Sequence, residues 1–201
     1  MYVLYHYPYS QHARRVVALL EEAKLAYELR HVAMDKGEHM SPAYLALNPN
    51  HQVPTLIDGA LTLFESNAIL RYLCVKHDLD DWCPVELASR AAVEQWLDWN
   101  QCRLSPSVID VVLNKAFLGD QGDPAAIQRG EEKLAELLPV LDAELVSKKF
   151  LAGAQPSIAD LSVASNITHL SFAAAEPKQE NVTAWLRRVC AIEGFKKTLL
   201  Q

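Results

Sequence analysis

Hydrophobic positions near the start of the chain follow first a strand pattern and then a helix pattern. Tyr2 to Tyr7 is a short aromatic and β-branched run, and Pro8 ends it because proline cannot donate to a sheet ladder. From Gln11 to Ala23 apolar residues recur at helical spacing, and Tyr27 to Val32 forms the next predicted strand. This order predicts a parallel β pair joined by a right-handed crossover.

A hairpin is predicted further along. Asp58-Gly59 is a strong two-residue turn signal, and it separates Thr55-Leu56-Ile57 from the apolar run Ala60 to Leu63. A helical pattern starts at Ser66. The order is βαβ, a short helical or loop segment, then ββα, which is the order of a thioredoxin-like domain.

Strand signals disappear after the acidic, proline-ended stretch Asp78 to Pro84. Val85 to Phe117 is one long helical pattern, in which we expect Pro106 to end or kink the helix. Pro124 to Val146 predicts a second helix, and Ser157-Ile158-Ala159-Asp160 has the form of a capping box at the start of a buried one. The second half is therefore predicted to be all-α.

These patterns together predict an α/β plus all-α fold. We assign residues 1–77 to an N-terminal thioredoxin-like domain, residues 78–85 to a linker and residues 86–201 to a C-terminal helical bundle domain.

Composition narrows the classes of function. Of the 201 residues 50% are hydrophobic and 22% charged, which is typical of a soluble globular protein, and the net charge of −6 argues against a nucleic-acid binder. The N-terminus lacks the pattern of a signal peptide, and no apolar run approaches the roughly 18 residues of a membrane span. We expect a cytoplasmic protein with no membrane or nucleic-acid partner.

The cysteines and histidines show no ligand spacing for a metal. Cys74, Cys83, Cys102 and Cys190 form no C-x-x-C pair, and the seven histidines form no H-x-x-x-H set. We therefore expect no disulfide framework and no metal cofactor.

Several motifs occur in an order that carries a resemblance. They are Tyr9-Ser10-Gln11, Asn48-Pro49, Gln52-Val53-Pro54-Thr55-Leu56, Glu65-Ser66-Asn67 and Ser157-Ile158-Ala159-Asp160. With them, the chain resembles the cytosolic glutathione transferase (glutathione S-transferase) family over essentially its whole length. It is most similar to the theta-like or related bacterial-type class with an active-site serine.

Ser10 has two interpretations. Its position predicts an N-cap for the first helix. The capping-box partner is missing, however, because Ala13 stands three residues on, and Arg14 and Arg15 make the helix start positive. The resemblance implies that the Ser10 hydroxyl stabilises the glutathione thiolate, and first-strand tyrosines such as Tyr5 and Tyr7 are the rival donors.

The resemblance also implies the other contacts to glutathione. Val53, before a cis Pro54, would pair with the cysteinyl backbone, while Glu65 and Ser66 would bind the γ-glutamyl ammonium and carboxylate. The implied glutathione-binding set is His39, Gln52, Val53, Pro54, Glu65 and Ser66. His39 and Gln52 would hold the glycine end, with His51 as a competitor for that role.

For the second substrate the resemblance implies a pocket against the helical half. Tyr9, Trp99 and Arg103 are its candidate residues, although an aromatic residue on a long helix is more often a core or dimer contact. A homodimer is expected, and Asp98 and Asn100 are candidates to reach glutathione across its interface.

The function implied is detoxification, in which glutathione attacks a small hydrophobic electrophile. Two alternatives stay open. One is a non-catalytic, transferase-like interaction protein, since a fold does not determine a function. The other is a glutathione-dependent isomerase or dehalogenase.

Overall fold

The computed structural model of the chain describes residues 1–199. Within that range the backbone forms four β-strands and nine α-helices. The strands are β1 (Tyr2–His6), β2 (Tyr27–His31), β3 (Thr55–Asp58) and β4 (Leu61–Phe64). The helices are α1 (Gln11–Glu22), α2 (Pro42–Leu45), α3 (Ser66–Lys76), α4 (Leu87–Trp99), α5 (Ser105–Val112), α6 (Pro124–Glu144), α7 (Ile158–His169), α8 (Glu180–Cys190) and α9 (Glu193–Lys196).

The strands form one mixed sheet in the order β2-β1-β3-β4. β1 is parallel to β2, and β3 is antiparallel to both β1 and β4, which confirms the predicted parallel pair, hairpin and fold class. The hairpin turn lies one residue later than expected. Asp58 pairs with Leu61, so Gly59 and Ala60 make the turn, and Gly59 takes a φ of 59°.

The chain divides into two compact units. The first contains Met1–Leu79 and the chain from Ile192 onward, and the second contains Asp80–Ala191. The sequence places the segment from Ile192 onward in the helical domain, residues 86–201. The structure groups this segment with the first unit, because α9 packs on α1. Gly194 allows this close approach, since a Cβ at this position would lie 2.3 Å from the carbonyl oxygen of Ala18.

The first unit buries its apolar residues between the sheet and the two long helices. Leu4 on β1, Leu56 on β3, Leu19 on α1, and Ile69 and Leu73 on α3 are each no more than 1% exposed. α1 and α3 contact each other. This core fixes where both helices begin, because their buried stripes hold them in register against the strands.

The second unit begins with a helical run that passes through Pro106. After α4, residues Asn100–Leu104 form a π-helical turn, followed by α5 and a second π-helical turn at Leu113–Phe117. The amide of Ser105 bonds to the carbonyl of Asn100, five residues back. The wider turn places Pro106 in the first turn of α5, where a missing N–H is tolerated, so Pro106 does not end the helix.

The remaining helices match the predicted pattern closely. α6 runs through Pro139, and α7 starts at the predicted capping box, with Ser157 and Asp160 bonding reciprocally to each other's main chain. Most of α7 is buried, and it contacts α4, α5 and α8. Across residues 1–199, no helix has both the length and the apolar character needed to cross a bilayer.

Candidate functional site

Three of the predicted segments meet at one end of the sheet. Tyr5 near the end of β1 pairs with Thr55 at the start of β3, and Thr55 pairs with Phe64 at the end of β4. Pro54 immediately precedes Thr55, and Glu65 immediately follows Phe64. The register therefore brings the start of α1, the loop before β3 and the start of α3 together at this end of the sheet, which we call the site edge.

Ser10 is the N-cap of α1. Its φ and ψ are −83° and 115°, and its Oγ accepts a 3.2 Å hydrogen bond from the amide of Ala13. The predicted capping role is thus confirmed. A hydroxyl also has one proton to donate, and within residues 1–199 no group accepts the proton of Ser10. Capping therefore leaves the donor available for a ligand.

The first turn of α1 contains no acidic residue, and its arginines are buried. Arg15 is 0% exposed, and burial lowers its pKa to about 9. Its Nη1 donates to Oδ1 of Asn67 at 3.5 Å, which links α1 to the first turn of α3. The two helix starts at this edge are therefore connected by a side-chain contact.

The loop before β3 contains backbone polar groups without hydrogen-bond partners in the part of the chain that the structure describes. The peptide bond between Val53 and Pro54 is cis, and the Val53 side chain is buried. Among residues 1–199, no hydrogen bond involves the amide or the carbonyl of Val53. Main-chain groups are rarely left without partners, so these two are suited to pair with an extended peptide.

Hydrogen bonds from the side chains of Tyr44 and Asn48 hold this loop in place. Tyr44 donates from its hydroxyl to the carbonyl of Gln52 at 2.6 Å, and Asn48 Nδ2 donates to the same oxygen at 2.9 Å. Tyr44 and Asn48 also contact Thr55 Oγ1, at 3.0 and 3.3 Å. Because Tyr44 uses its one proton on Gln52, Thr55 donates to Tyr44. Burial raises the pKa of Tyr44, which keeps its phenol protonated.

The start of α3 has an unusual backbone. Glu65 has a φ of 68°, a left-handed value that is uncommon for a residue other than glycine, and its side chain makes no capping bond to the helix. The Glu65 carboxylate and the Ser66 hydroxyl have no partner within the described chain, residues 1–199. By contrast, side chains cap α1, α4, α6 and α7.

The two competing histidines lie side by side. His39 sits in a 3₁₀ turn, Glu38–Met40, and its ring centroid is 6.4 Å from that of His51. The Nδ1 atom of His39 is buried and has no hydrogen-bond partner among residues 1–199. Gln52, next to His51, is exposed.

The rival tyrosines contact other side chains. Arg30 Nη1 donates to the Tyr5 hydroxyl at 3.2 Å. The Tyr7 ring lies 5.5 Å from that of Tyr9 and 5.9 Å from that of His31, and burial, assisted by the charge of Asp35, raises the Tyr7 pKa. Tyr9 is 44% exposed.

The other predicted residues lie in the second unit. Trp99 packs edge-on against Trp96, with ring centroids 5.1 Å apart, and Arg103 is exposed on the first π-helical turn. The suggestion that Asn100 reaches glutathione is wrong. Asn100 is 0% exposed and bonds to Ser162 Oγ at 3.0 Å and to Asn166 at 2.7 Å, so it is part of the interior.

Sequence reasoning missed Tyr44 as a residue of this edge. Asn48 stands in the Asn48-Pro49 motif, whereas Tyr44 has no local signal, since its role depends on the carbonyl of Gln52 eight residues away. In residues 1–199, no group of three or more His, Cys, Asp or Glu side chains is arranged to hold a metal ion.

The fold and the site edge together define a class of protein. In this class a thioredoxin-like unit is joined to an all-helical unit. The thioredoxin-like unit offers a helix-capping hydroxyl, unpaired backbone groups and a helix start without a side-chain cap. The model of the glutathione S-transferase N-terminal domain matches residues 1–74, and that of the C-terminal domain matches residues 104–193.

Individual relatives agree with these matches. Glutathione S-transferase 3 of Zea mays is 35% identical over 205 residues, covering 98% of this chain and 92% of its own. Glutathione S-transferase theta-1 of Mus musculus is 34% identical over 194 residues, covering 92% of this chain and 80% of its own. The glutathione-bound theta-class structure from Xanthomonas axonopodis pv. citri has a TM-score of 0.92 at 30% identity, covering 100% of this chain and 97% of its own.

The chain belongs to the glutathione S-transferase family. It is a transferase of theta-like type, with glutathione as its thiol substrate.

Proposed function

We propose that the protein ionises the thiol of glutathione at Ser10 and directs the thiolate onto a small hydrophobic electrophile. The observation that carries this proposal is the sheet register, which gathers the starts of α1 and α3 and the Val53-Pro54 loop at one edge. We assign glutathione binding to the thioredoxin-like domain, residues 1–77, and place the electrophile against the helical domain that follows the 78–85 linker.

In this proposal Ser10 donates its hydroxyl proton in a hydrogen bond to the glutathione sulfur. Hydrogen bonding to a charged form lowers a pKa, and a fall of about 2 units from the ~8.5 of a free thiol ionises most of it near neutral pH, whereas a fall of about 1 unit ionises roughly a quarter. The positive first turn of α1 adds to this stabilisation. The spare proton of Ser10 is the supporting observation.

Glutathione itself would be held along the same edge. Val53, preceding Pro54, pairs its amide and carbonyl with the cysteinyl backbone. Ser66 and the first amides of α3 bind the γ-glutamyl carboxylate, and Glu65 binds the ammonium group. The unpartnered Glu65 carboxylate and Ser66 hydroxyl support this assignment.

The glycine end of glutathione is assigned to His39 and Gln52. The buried Nδ1 of His39 lacks a partner within residues 1–199, which favours a ligand contact there. His51 lies close enough to share the role.

For the electrophile we propose Tyr9, Trp99 and Arg103. The helical unit also exposes three apolar residues at four-residue spacing, namely Ile109, Leu113 and Phe117, which are 38%, 44% and 45% exposed. Exposed apolar side chains of this kind suit a hydrophobic substrate body. The thiolate sulfur forms a bond to the electrophilic carbon; either a halide leaves with the bonding electron pair, or that pair moves onto an adjacent atom, which takes a proton from water.

We further propose that the protein acts as a cytoplasmic homodimer without a metal ion. Sedimentation should give twice the chain mass, and a chelator should leave activity unchanged.

The test of the function combines retention on immobilised glutathione with turnover of a generic aryl halide. The proposal predicts both. Failure of both would identify an interaction protein without catalysis. Retention with turnover only of isomerisation or dehalogenation substrates would overturn conjugation as the reaction.

A further inference from the structure

An open surface cavity of about 390 Å³ lies in the second unit and is lined by none of the residues assigned above. One wall is the chain after α6, including Lys148 and Lys149, and the other is α8. Asn181, Ala184 and Arg188 contribute from α8, spaced by three and four positions, so they share one helix face. None of the residues lining the cavity is acidic.

Two of the cations that line this cavity, one from each wall, are not paired with a carboxylate of the described chain. Arg188 donates from Nε to the main-chain carbonyl of Lys149 at 3.1 Å, and its two amino groups have no partner among residues 1–199. The Lys149 ammonium lies 5.6 Å from the ring centroid of Phe150 and forms no ion pair within the same range. Lys148 differs, because it is paired with Glu144.

The neighbouring carboxylate on α6, that of Asp142, accepts hydrogen bonds from the start of α8. Asp142 accepts bonds from the amides of Asn181 and Val182, at 2.9 and 3.1 Å, and from Asn181 Nδ2 at 3.1 Å. Its charge therefore holds the start of α8. With Lys148 paired to Glu144, the positive charge that the lining offers to an anion is that of Arg188 and Lys149.

We propose that this cavity binds a small organic phosphate monoester, with the phosphate held by Arg188 and Lys149. The hydrogen bond from Arg188 Nε fixes the plane of its guanidinium group and leaves the two amino groups as donors. Two such coplanar donors match two oxygens of a phosphate, and the Lys149 ammonium adds a second positive charge. The volume exceeds that of a phosphate group, so an organic body fits beside Ala184.

The test is calorimetric titration of the full-length protein with phenyl phosphate and, separately, with inorganic phosphate. Saturable binding of the ester is expected, with inorganic phosphate at least threefold weaker. Arg188→Gln and Lys149→Gln should each weaken the binding of phenyl phosphate at least tenfold. Lys149→Gln keeps the main-chain acceptor of Arg188, so it remains informative if Arg188→Gln unfolds.

The matched controls are Arg187→Gln and Lys133→Gln, which remove the same charge from cations that do not line the cavity. Both should stay within twofold of the parent, and conjugation activity should not change in any variant. Equal weakening in Arg187→Gln and Arg188→Gln, or no saturable binding at millimolar ester, would overturn the site. Equal affinity for ester and inorganic phosphate would overturn the organic part of the proposal.

Discussion

The hydroxyl of Tyr44 donates a 2.6 Å hydrogen bond to the main-chain carbonyl of Gln52. This contact fixes the peptide just before Val53, the residue proposed to pair with the backbone of glutathione. A buried phenol on a short helix thus determines the position of a loop that has no regular secondary structure of its own.

Replacing Tyr44 by phenylalanine should weaken glutathione binding more than it slows chemistry. Loss of one buried hydrogen bond costs about 1 kcal/mol, which corresponds to roughly a fivefold rise in KM for glutathione, with kcat nearly unchanged. Steady-state kinetics measure both. Tyr27→Phe is the control, because that hydroxyl bonds to Glu21 instead. A fall in kcat at constant KM would contradict the positioning role.

Removing the charge of Glu65 should affect one end of glutathione only. Glu65→Gln is expected to raise the KM for glutathione by about 10-fold or more, since charge-assisted hydrogen bonds contribute about 1.5–3 kcal/mol. An analogue lacking the γ-glutamyl amino group should bind parent and variant equally. If the variant weakens both ligands alike, Glu65 acts through its left-handed backbone conformation and not through its charge.

The Asp160 carboxylate should be central to the stability of the helical unit. It accepts from the Leu151 amide at 2.9 Å and from Trp185 Nε1 at 2.8 Å, in addition to its bonds with Ser157. Asp160→Ala leaves these buried donors without a partner, and the free energy of unfolding should fall by about 3 kcal/mol or more. Urea titration measures it. A loss below about 1 kcal/mol would show that water replaces the carboxylate.

The contact between α9 and α1 should not tolerate a side chain at Gly194. A Cβ there would lie 2.3 Å from the Ala18 carbonyl oxygen and 2.5 Å from the Glu22 amide nitrogen. Gly194→Ala should therefore destabilise the protein by about 1–3 kcal/mol, whereas Lys196→Ala on the same helix should change stability little. Equal stability of the two variants in thermal unfolding would mean that α9 does not pack on α1 in solution.

Features with a local cause could be predicted from the sequence. The alternation of strand and helix periods gave the order of the thioredoxin-like unit, and Ser157 with Asp160 marked the start of α7, because both signals lie within a few residues. Ser10 was recognisable as a helix start for the same reason.

Features that depend on distant contacts could not be predicted. The π-helical turn that accommodates Pro106 depends on the whole helical run and not on the residues next to Pro106. The packing of α9 on α1 depends on Gly194, which lies about 170 positions from its partner in the sequence. The burial of Asn100 follows from its bonds to α7, which no pattern around position 100 indicates.

The two roles of Ser10 can be separated by choice of substitution. Alanine removes the hydroxyl and the cap, at a cost of about 1 kcal/mol, whereas glycine removes the hydroxyl but costs the cap only a few tenths of a kcal/mol. Threonine keeps both. If the hydroxyl activates the thiol, Ser10→Ala and Ser10→Gly should lose conjugation activity equally, about 10- to 100-fold, with glutathione affinity retained, and Ser10→Thr should keep most activity.

The central claim is tested most directly by titrating the thiol of enzyme-bound glutathione, using the ultraviolet absorbance of the thiolate. For the parent protein and Ser10→Thr we predict a thiol pKa about 1–2 units below the ~8.5 of a free thiol. Ser10→Gly, which retains the helix start, should return the pKa to near that value. A depressed pKa that is the same in the parent and in Ser10→Gly would contradict the account and leave Ser10 as a helix cap alone.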